Sequence, residues 1–377
     1  MITGLRLSNF KAWHETGTIS LRPLTVLLGS NSSGKSSLGH SLLLLRQTVS
    51  LSNTEAAATL RGDQSVYTMD FGEFSDVLHH RADAADHFVL GVDVADSQGA
   101  FSLDVSYQQA ADASIRPQYR LTSAGDHNRA TQHTLEFRLQ DQLRKITYLG
   151  PWRQRSLREY PARNLTHKVP AMDGEGFAAL LIQSALAGNG RSSELTEGVS
   201  HWLQRLQLAQ GLNIEPARQS GFYQLRLQRD GRQINLADAG IGVAYILPVL
   251  VMALSVPVGS TVIVEEPEIH LHPLAQAMLA DLFAEIHQQR QVQFIVETHS
   301  EHLFRRLQTL IARQQLTASQ LAIYHVHQKQ GNAQLRALQL DEFGRVHNWP
   351  AGLFGDALGE TREQARLMFE RQQEQKP

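Results

Sequence analysis

The chain has 377 residues, 42% of them hydrophobic, so it is long enough to bury a substantial core in one or two domains. Acidic and basic residues nearly cancel to a formal net charge of −2, which excludes general basicity and leaves only a local patch for contact with nucleic acid. The absence of cysteine excludes disulfides and cysteine-ligated zinc and is typical of a reducing compartment.

Short runs of alternating apolar and polar residues in the first third of the chain predict β-strands. The first run lacks the apolar core of a signal peptide, so we expect a cytoplasmic protein. A helix is predicted after Gly34, between two of these strands. The predicted strands are Ile2–Ser8, Thr18–Leu21, Phe88–Val94, Phe101–Tyr107 and Thr134–Leu139.

The remainder of the chain predicts an α/β fold. Glu175–Gln210 has helical spacing, and Tyr223–Leu236 predicts a hairpin turning at Asp230–Gly231, since this pair suits a type I′ turn. From Ile241 onward, helices alternate with apolar strands, which predicts a mainly parallel sheet covered by helices. These elements are the helix from Ile241, strand Val262–Val264, helix Leu274–His287, strand Phe294–Val296, helix Glu301–Arg313 and strand Leu321–Val326.

Ala239–Val264 is uncharged, mostly apolar and about as long as a membrane-spanning helix. It contains Pro248, Pro257 and Gly259, and turn residues inside a membrane would leave backbone groups without hydrogen bonds. We therefore expect a buried helix, a turn and a buried strand, and no membrane contact.

The stretch GSNSSGKSS, here called the phosphate loop (Gly29–Ser37), follows the apolar strand Leu24–Leu28 and fits the pattern G-x-x-x-x-G-K-[ST]. Its glycines let backbone N–H groups turn toward phosphate oxygens, and the following helix N-terminus adds partial positive charge. Lys35 can reach the β- and γ-phosphates, and the Ser36 hydroxyl can hold Mg²⁺. A flexible surface turn is the less favoured interpretation. The predicted nucleotide-binding residues are Gly29, Ser30, Asn31, Ser32, Ser33, Gly34, Lys35, Ser36 and Ser37.

A phosphate loop needs acidic partners on a neighbouring strand, and Thr261–Pro273 (TVIVEEPEIHLHP) supplies them. Glu265 and Glu266 directly follow the apolar strand Val262–Val264. We predict that Glu265 holds Mg²⁺ and that Glu266 is the general base toward the attacking water. By itself, a strand that ends in solvated acids would be ordinary.

Histidines supply two further candidates. His299 ends the apolar strand in FIVETHS and is predicted to contact the γ-phosphate or the attacking water, although such a histidine alone would more often be a surface residue. His270 and His272 form an H-x-H pair, but two ligands without a third favour no metal site.

Together these motifs resemble ABC-type ATPases of the SMC, RecF and OLD-like branch. EEPEIHLHP is similar to the strand-and-turn motif of that branch, and Asn235–Leu250 (NLADAGIGVAYILPVL) resembles its signature segment. Tyr148–Tyr160, Asp173–Ile182 and Asn348–Phe354 resemble a bacterial subgroup of stand-alone AAA-type ATPases with a conserved C-terminal extension. The resemblance covers nearly the whole chain.

The resemblance implies an ABC-ATPase-like head with a P-loop core sheet, an antiparallel β subdomain and a helical insertion. It implies ATP and Mg²⁺ as cofactors, and a homodimer in which Gly240 and Gly242 of one subunit cover the ATP of the other. We expect an N-terminal ATPase lobe at 1–140, a basic segment and helical insertion at 141–220, and a C-terminal ATPase lobe at 221–377.

The segment Arg144–Lys168 has seven basic residues against one acid, Glu159. It is a candidate contact for DNA or RNA, for the nucleotide itself, or an ordinary solvated surface. The basic residues are Arg144, Lys145, Arg153, Arg155, Arg158, Arg163 and Lys168.

The function predicted from these observations is an ATP-driven switch that controls a partner such as a nuclease, in DNA repair or antiphage defence. A self-contained OLD-like nuclease is disfavoured because only about eighty residues follow His299, too few for the last strands and a Toprim domain. A transporter ATPase is disfavoured by the form of the EEPEIHLHP motif.

Overall fold

The computed structural model describes residues 1–49, 57–62, 68–82, 87–123, 129–162, 169–187, 193–350, 353–354 and 362–368. In chain order, the strands are β1 (Ile2–Phe10), β2 (Trp13–Glu15), β3 (Ile19–Ser20), β4 (Leu24–Gly29), β5 (Phe88–Asp96), β6 (Gly99–Gln109), β7 (Ile115–Ser123), β8 (Ile146–Leu149), β9 (Tyr160–Pro161), β10 (Gly211–Pro216), β11 (Phe222–Arg229), β12 (Arg232–Asn235), β13 (Thr261–Glu265), β14 (Gln293–Glu297), β15 (Leu321–Lys329) and β16 (Asn332–Ala337). The helices are α1 (Lys35–Thr48), α2 (Phe74–Val77), α3 (Arg129–Arg144), α4 (Phe177–Ala187), α5 (Glu194–Arg205), α6 (Ile241–Ser255), α7 (Pro273–Arg290) and α8 (Glu301–Ala312).

A central six-stranded sheet has the order β16-β15-β4-β14-β13-β8, and it is parallel except at β16. Its inner strands are buried on both faces, as the apolar runs predict. Parallel strands end at a common edge, so the carboxyl ends of β4, β13 and β14 meet there. The mainly parallel sheet predicted from the sequence is confirmed.

Two antiparallel sheets flank this core. The larger has the order β2-β1-β5-β6-β7 with β3 paired to β1, and its buried face shares a hydrophobic cluster with α1, in which Leu42 and Leu44 accompany Leu90 and Leu103. The smaller consists of β9 to β12 and belongs to a second cluster with α4, α5 and α6. The mixed α/β architecture agrees with the predicted fold class.

The predicted hairpin is present. Its strands β11 and β12 pair from Arg229 and Arg232, next to the turn, to Arg226 and Asn235. Asp230 and Gly231 have φ values of 50° and 73°, the left-handed conformation that a type I′ turn requires at both central positions. The turn prediction is therefore confirmed.

One element prediction is wrong. Thr134–Leu139 was predicted as a strand but lies within helix α3. Leu135, Leu139 and Leu143 recur at intervals of four and are buried, whereas Phe137 is 72% exposed. The apparent alternation therefore arises because the exposed Phe137 stands between two leucines that belong to the buried stripe of a helix.

The division at 140/141 and 220/221 stays a prediction. The central sheet takes β8 from the predicted middle segment, and β10 of that segment pairs with β11 of the predicted C-terminal lobe.

Within the described ranges, no helix combines the length and apolar character needed to cross a membrane. The apolar run Ala239–Val264 forms α6, a turn and β13, as expected.

Candidate active site

The phosphate loop joins β4 to α1 at the carboxyl edge of the central sheet. Gly29 and Gly34 have φ values of 148° and 105°, and a Cβ atom at Gly29 would overlap the carbonyl oxygen of Val326, so both positions require glycine. No side chain caps the N-terminus of α1, which leaves its first N–H groups available to an anion.

Lys35 occupies the inside of this loop and is only 3% exposed. Its Nζ donates to the carbonyl oxygens of Gly29 at 3.0 Å and Ser30 at 2.8 Å, and lies 3.5 Å from Oε1 of Glu297. The buried hydroxyl of Ser33 has no hydrogen-bond partner among the described residues. A polyphosphate fits this cradle, because it would accept from the ammonium group, the hydroxyl and the backbone amides.

Glu265 ends β13 and is buried beside the loop. Its Oε1 accepts from the hydroxyl of Tyr148 at 2.9 Å and lies 3.1 Å from Nε2 of His40. Burial and the neighbouring carboxylate raise the pKa of the Tyr148 phenol, so that hydroxyl keeps its proton and stays a donor. These contacts fix the carboxylate that the sequence predicts for Mg²⁺.

Glu266 follows with a φ of 46°, an uncommon value for a residue other than glycine. Its backbone N–H donates to the carbonyl oxygen of Glu297 at 2.8 Å. Its Oε1 lies 3.7 Å from Nε2 of His299, and both side chains are about one-third exposed. Burial and the charge of Lys35 lower the pKa of His299, so the imidazole is neutral near pH 7.

The sequence interpretation missed Glu297 at this edge and considered Glu268 only as a substitute for Glu266. Glu297 ends β14 opposite Glu265, its Oε2 has no partner among the described residues, and burial together with Glu265 raises its pKa to about 7. Glu268 accepts from the backbone N–H of His299 at 2.8 Å, and burial raises its pKa. The position of Glu297 at a strand end, directly before Thr298 and His299, was a signal that could have found it.

The residues predicted for Mg²⁺ lie near Glu297. Ser36 directly follows Lys35, whose Nζ lies 3.5 Å from Oε1 of Glu297, and Glu265 lies opposite Glu297 on the neighbouring parallel strand. Mg²⁺ prefers oxygen ligands. The Ser36 hydroxyl, the Glu265 carboxylate and the Oε2 atom of Glu297, which has no partner among the described residues, are such ligands, so this set of groups fits the ion.

The predicted signature glycines begin α6. Gly240 has open space where a Cβ would lie, whereas a Cβ at Gly242 would come within 2.6 Å of the carbonyl oxygen of His270. Close packing explains Gly242 within this chain, but no contact among the described residues explains Gly240.

The basic residues of Arg144–Lys168 do not form one face. Arg153 is 6% exposed and points into the active-site edge, Arg158 pairs with Asp238, and Lys145 pairs with Asp141. Arg155 is exposed, and two further members, Arg163 and Lys168, lie outside the described residues.

In the H-x-H pair, the ring of His270 has a packing contact. The His270 ring packs edge-on against Tyr245, with centroids 5.0 Å apart. The described part of the chain contains no cluster of three or more histidine or acidic side chains suited to a metal ion.

Two protein families match the sequence. The family described as "AAA domain, putative AbiEii toxin, Type IV TA system" matches residues 24–305, three-quarters of the chain. The family described as "Protein of unknown function (DUF3696)" matches residues 316–364, at the predicted C-terminal extension. No curated protein matches the sequence.

Solved structures of SMC heads share the fold. The SMC head domain from Thermotoga maritima is 12% identical with a TM-score of 0.52, over 90% of this chain and 99% of that one. A SmcHead bound to the C-winged helix domain of ScpA is 14% identical with a TM-score of 0.57, over 90% and 98%. An Smc head bound to the C-terminal domain of ScpA derived from Pyrococcus furiosus is 12% identical with a TM-score of 0.54, over 90% and 96%. The chain therefore belongs to the matched family of AAA domains and shares its fold with the SMC heads.

Proposed function

We propose that this protein binds ATP with Mg²⁺, hydrolyses it, and uses the cycle to close and open a homodimer that controls a partner. The observation that carries the proposal is the meeting of Lys35, Ser36, Glu265, Glu266 and His299 at one edge of the central sheet. The ATPase family and head fold support the same activity.

In this proposal the phosphate loop wraps the β- and γ-phosphates, and Lys35 exchanges its loop carbonyls for phosphate oxygens. Ser36 and Glu265 hold Mg²⁺, which would neutralise developing charge on the phosphates. Glu266 accepts the proton of the attacking water, and the neutral His299 beside it orients that water or the γ-phosphate. Both side chains are partly exposed, so water can reach them.

The homodimer is proposed from the signature segment (Asn235–Leu250). The N-terminus of α6 is exposed at Gly240 and has no side-chain cap, which suits it to an anion supplied from outside the chain. In a head-to-tail pair, that anion is the ATP on the phosphate loop of the second subunit.

The biological role is proposed as antiphage defence or DNA repair in the cytoplasm, with a nuclease as one possible partner. The toxin–antitoxin wording of the family supports defence, and two similar SMC heads are described as bound to a ScpA domain, which supports a protein partner. DNA or RNA contact through Arg144–Lys168 stays a prediction, in which Arg144, Arg155 and Arg158 are the exposed described members of the patch and the buried Arg153 has no part.

The deciding experiment is the substitution Glu266→Gln, which keeps the size of the side chain but cannot accept the proton. We expect ATP to bind with unchanged affinity in calorimetry, and phosphate release to fall by about 100-fold or more. Light scattering should detect a dimer that accumulates only with ATP and Mg²⁺, because hydrolysis no longer reopens it.

Glu194→Gln, an exposed glutamate on α5, is the matched control and should behave as the parent. Hydrolysis near the parent rate in Glu266→Gln would reject Glu266 as the base, and a dimer that ignores ATP would reject the switch. Nicking of DNA by the repurified chain would favour the OLD-like alternative, and co-fractionation with membranes would favour the transporter alternative.

A further inference from the structure

Arg153 is a buried cation that the proposed reaction leaves without a role. Its Nη2 donates to the carbonyl oxygen of Glu265 at 2.8 Å, and its Nη1 lies 3.5 Å from that of Glu266. Its Nε is buried without a partner among the described residues. Burying a guanidinium is costly, so its orientation toward two backbone carbonyls needs a reason.

Those two carbonyls belong to the two peptide groups on either side of the candidate base, Glu266. Glu266 has a φ of 46°, and residues other than glycine rarely adopt this backbone conformation unless their surroundings impose it. Two sets of contacts hold this backbone, the hydrogen bond from Glu266 N–H to the carbonyl oxygen of Glu297 and the contacts of the Arg153 guanidinium with the carbonyls of Glu265 and Glu266. Without the second contact, the peptide can relax and the carboxylate of Glu266 turns away.

The same guanidinium also contacts the signature segment. Its Cζ lies 5.9 Å from the ring centroid of Tyr245 on α6, within cation–π range. The Tyr245 ring in turn packs against His270, in the turn that follows Glu266. Five residues after Arg153, Arg158 forms a bidentate ion pair with Asp238, just before α6. The segment from Arg153 to Arg158 therefore connects the carboxylates at the edge of the central sheet with the signature segment.

We propose that Arg153 is a positioning residue that holds the Glu265–Glu266 peptide in its active conformation and, through Tyr245, couples the catalytic carboxylates to the signature helix of the same chain. This inference rests on the proposed ATPase function. It gives the buried Arg153 a mechanical role, whereas the exposed basic residues of Arg144–Lys168 keep the predicted contact with nucleic acid. A conformational change of α6, where a second subunit would bind, would therefore reach Glu266 through the side chain of Arg153.

The test compares Arg153→Gln, Arg153→Lys and the parent in ATP hydrolysis and calorimetry. A catalytic group displaced by about 1 Å loses about 100-fold in rate, so we expect kcat of Arg153→Gln to fall 10- to 100-fold. The dissociation constant for ATP should stay within about twofold, because the phosphate loop is unchanged. Arg153→Lys retains one charged donor and should recover part of the lost kcat.

Arg229→Gln, at an exposed arginine on β11, is the matched control and should leave both values unchanged. Tyr245→Leu tests the coupling, because combined with Arg153→Gln it should cost little more than Arg153→Gln alone. Independent, multiplicative losses would overturn the coupling. Parent-like kcat in Arg153→Gln, or parallel losses of kcat, ATP affinity and melting temperature, would overturn the positioning role. If the parent itself neither binds nor hydrolyses ATP, the proposed function fails and the inference falls with it.

Discussion

At the residue scale, the phosphate loop and the strand-end acids were predictable because their chemistry is local. A glycine pattern before a helix and two acids after an apolar strand are contiguous in the sequence. Glu297 and Arg153 were not recognised, because their importance depends on which strands are neighbours and which side chains become buried. The positive φ of Glu266 was likewise unpredictable, since hydrogen bonds from distant segments impose it.

The buried Glu297 has a consequence for stability. Lys35 lowers its pKa, but burial and the nearby Glu265 and Glu266 raise it more, to about 7. The folded chain therefore binds this proton more tightly than the unfolded chain does. The stabilisation from that proton is full below the unfolded-state pKa and is lost as pH rises through about 7.

We predict that Glu297→Gln becomes more stable relative to the parent as pH rises from 5 to 8. Glutamine carries no charge, so the variant escapes the cost of burying an ionised carboxylate, up to about 3 kcal/mol in free energy of unfolding. Urea unfolding of the nucleotide-free proteins at both pH values measures this difference. An exposed replacement, Glu194→Gln, should show no such trend, and a pH-independent difference for Glu297→Gln would contradict the raised pKa.

At the element scale, the long alternating and apolar segments were predictable, and a short or mixed segment was not. The error at α3 arose because Leu135, Phe137 and Leu139 alternate over only a few residues, too few to distinguish a period of two from a helical stripe that continues to Leu143. Strand β8 was overlooked because its four residues stand inside a basic stretch, and only their burial beside β13 reveals their place.

The first turn of α6 provides a prediction at this scale. Gly242→Ala would ordinarily favour a helix by about 1 kcal/mol. Here the added Cβ would come within 2.6 Å of the His270 carbonyl oxygen, and a backbone atom cannot move aside cheaply. We expect a net loss of about 1–2 kcal/mol in free energy of unfolding. Gly240→Ala, with open space around its Cβ, is the control and should lose less in the same urea titration, about 0.5 kcal/mol, because alanine caps a helix less well than glycine. Equal stability of the two variants would contradict this prediction, because it would show that the turn containing His270 moves to make room for the added Cβ.

At the scale of the whole molecule, the class of fold followed from the alternation of helices and apolar strands after Ile241. The pairing of distant strands did not, because β4 of the N-terminal part lies between β14 and β15 of the C-terminal part. This interleaving brings the phosphate loop to the acids of β13, so the groups proposed for catalysis lie together in one chain. The exposed start of α6 is the part of the proposed machinery that needs a second chain.

Complementation between two inactive variants tests that need. Lys35→Ala removes the ammonium group from the phosphate loop but leaves the signature segment intact. Gly240→Asp leaves the loop intact and supplies a favourable N-cap to α6, so the monomer should fold normally. In a head-to-tail dimer, however, the added carboxylate would repel the ATP phosphates of the other subunit.

Each variant alone should therefore hydrolyse little ATP, while an equimolar mixture should recover activity. Half of randomly formed dimers are mixed and each has one intact site, so we expect recovery to about a quarter of the parent rate. Phosphate release from the mixture, compared with the sum of the separate variants, measures it. The Gly240→Asp protein should still bind ATP in calorimetry, because its own loop is unchanged. If the mixture gives only the sum of its parts although both proteins are folded, the nucleotide is not shared between a loop and a signature of different subunits, and hydrolysis belongs to the single chain.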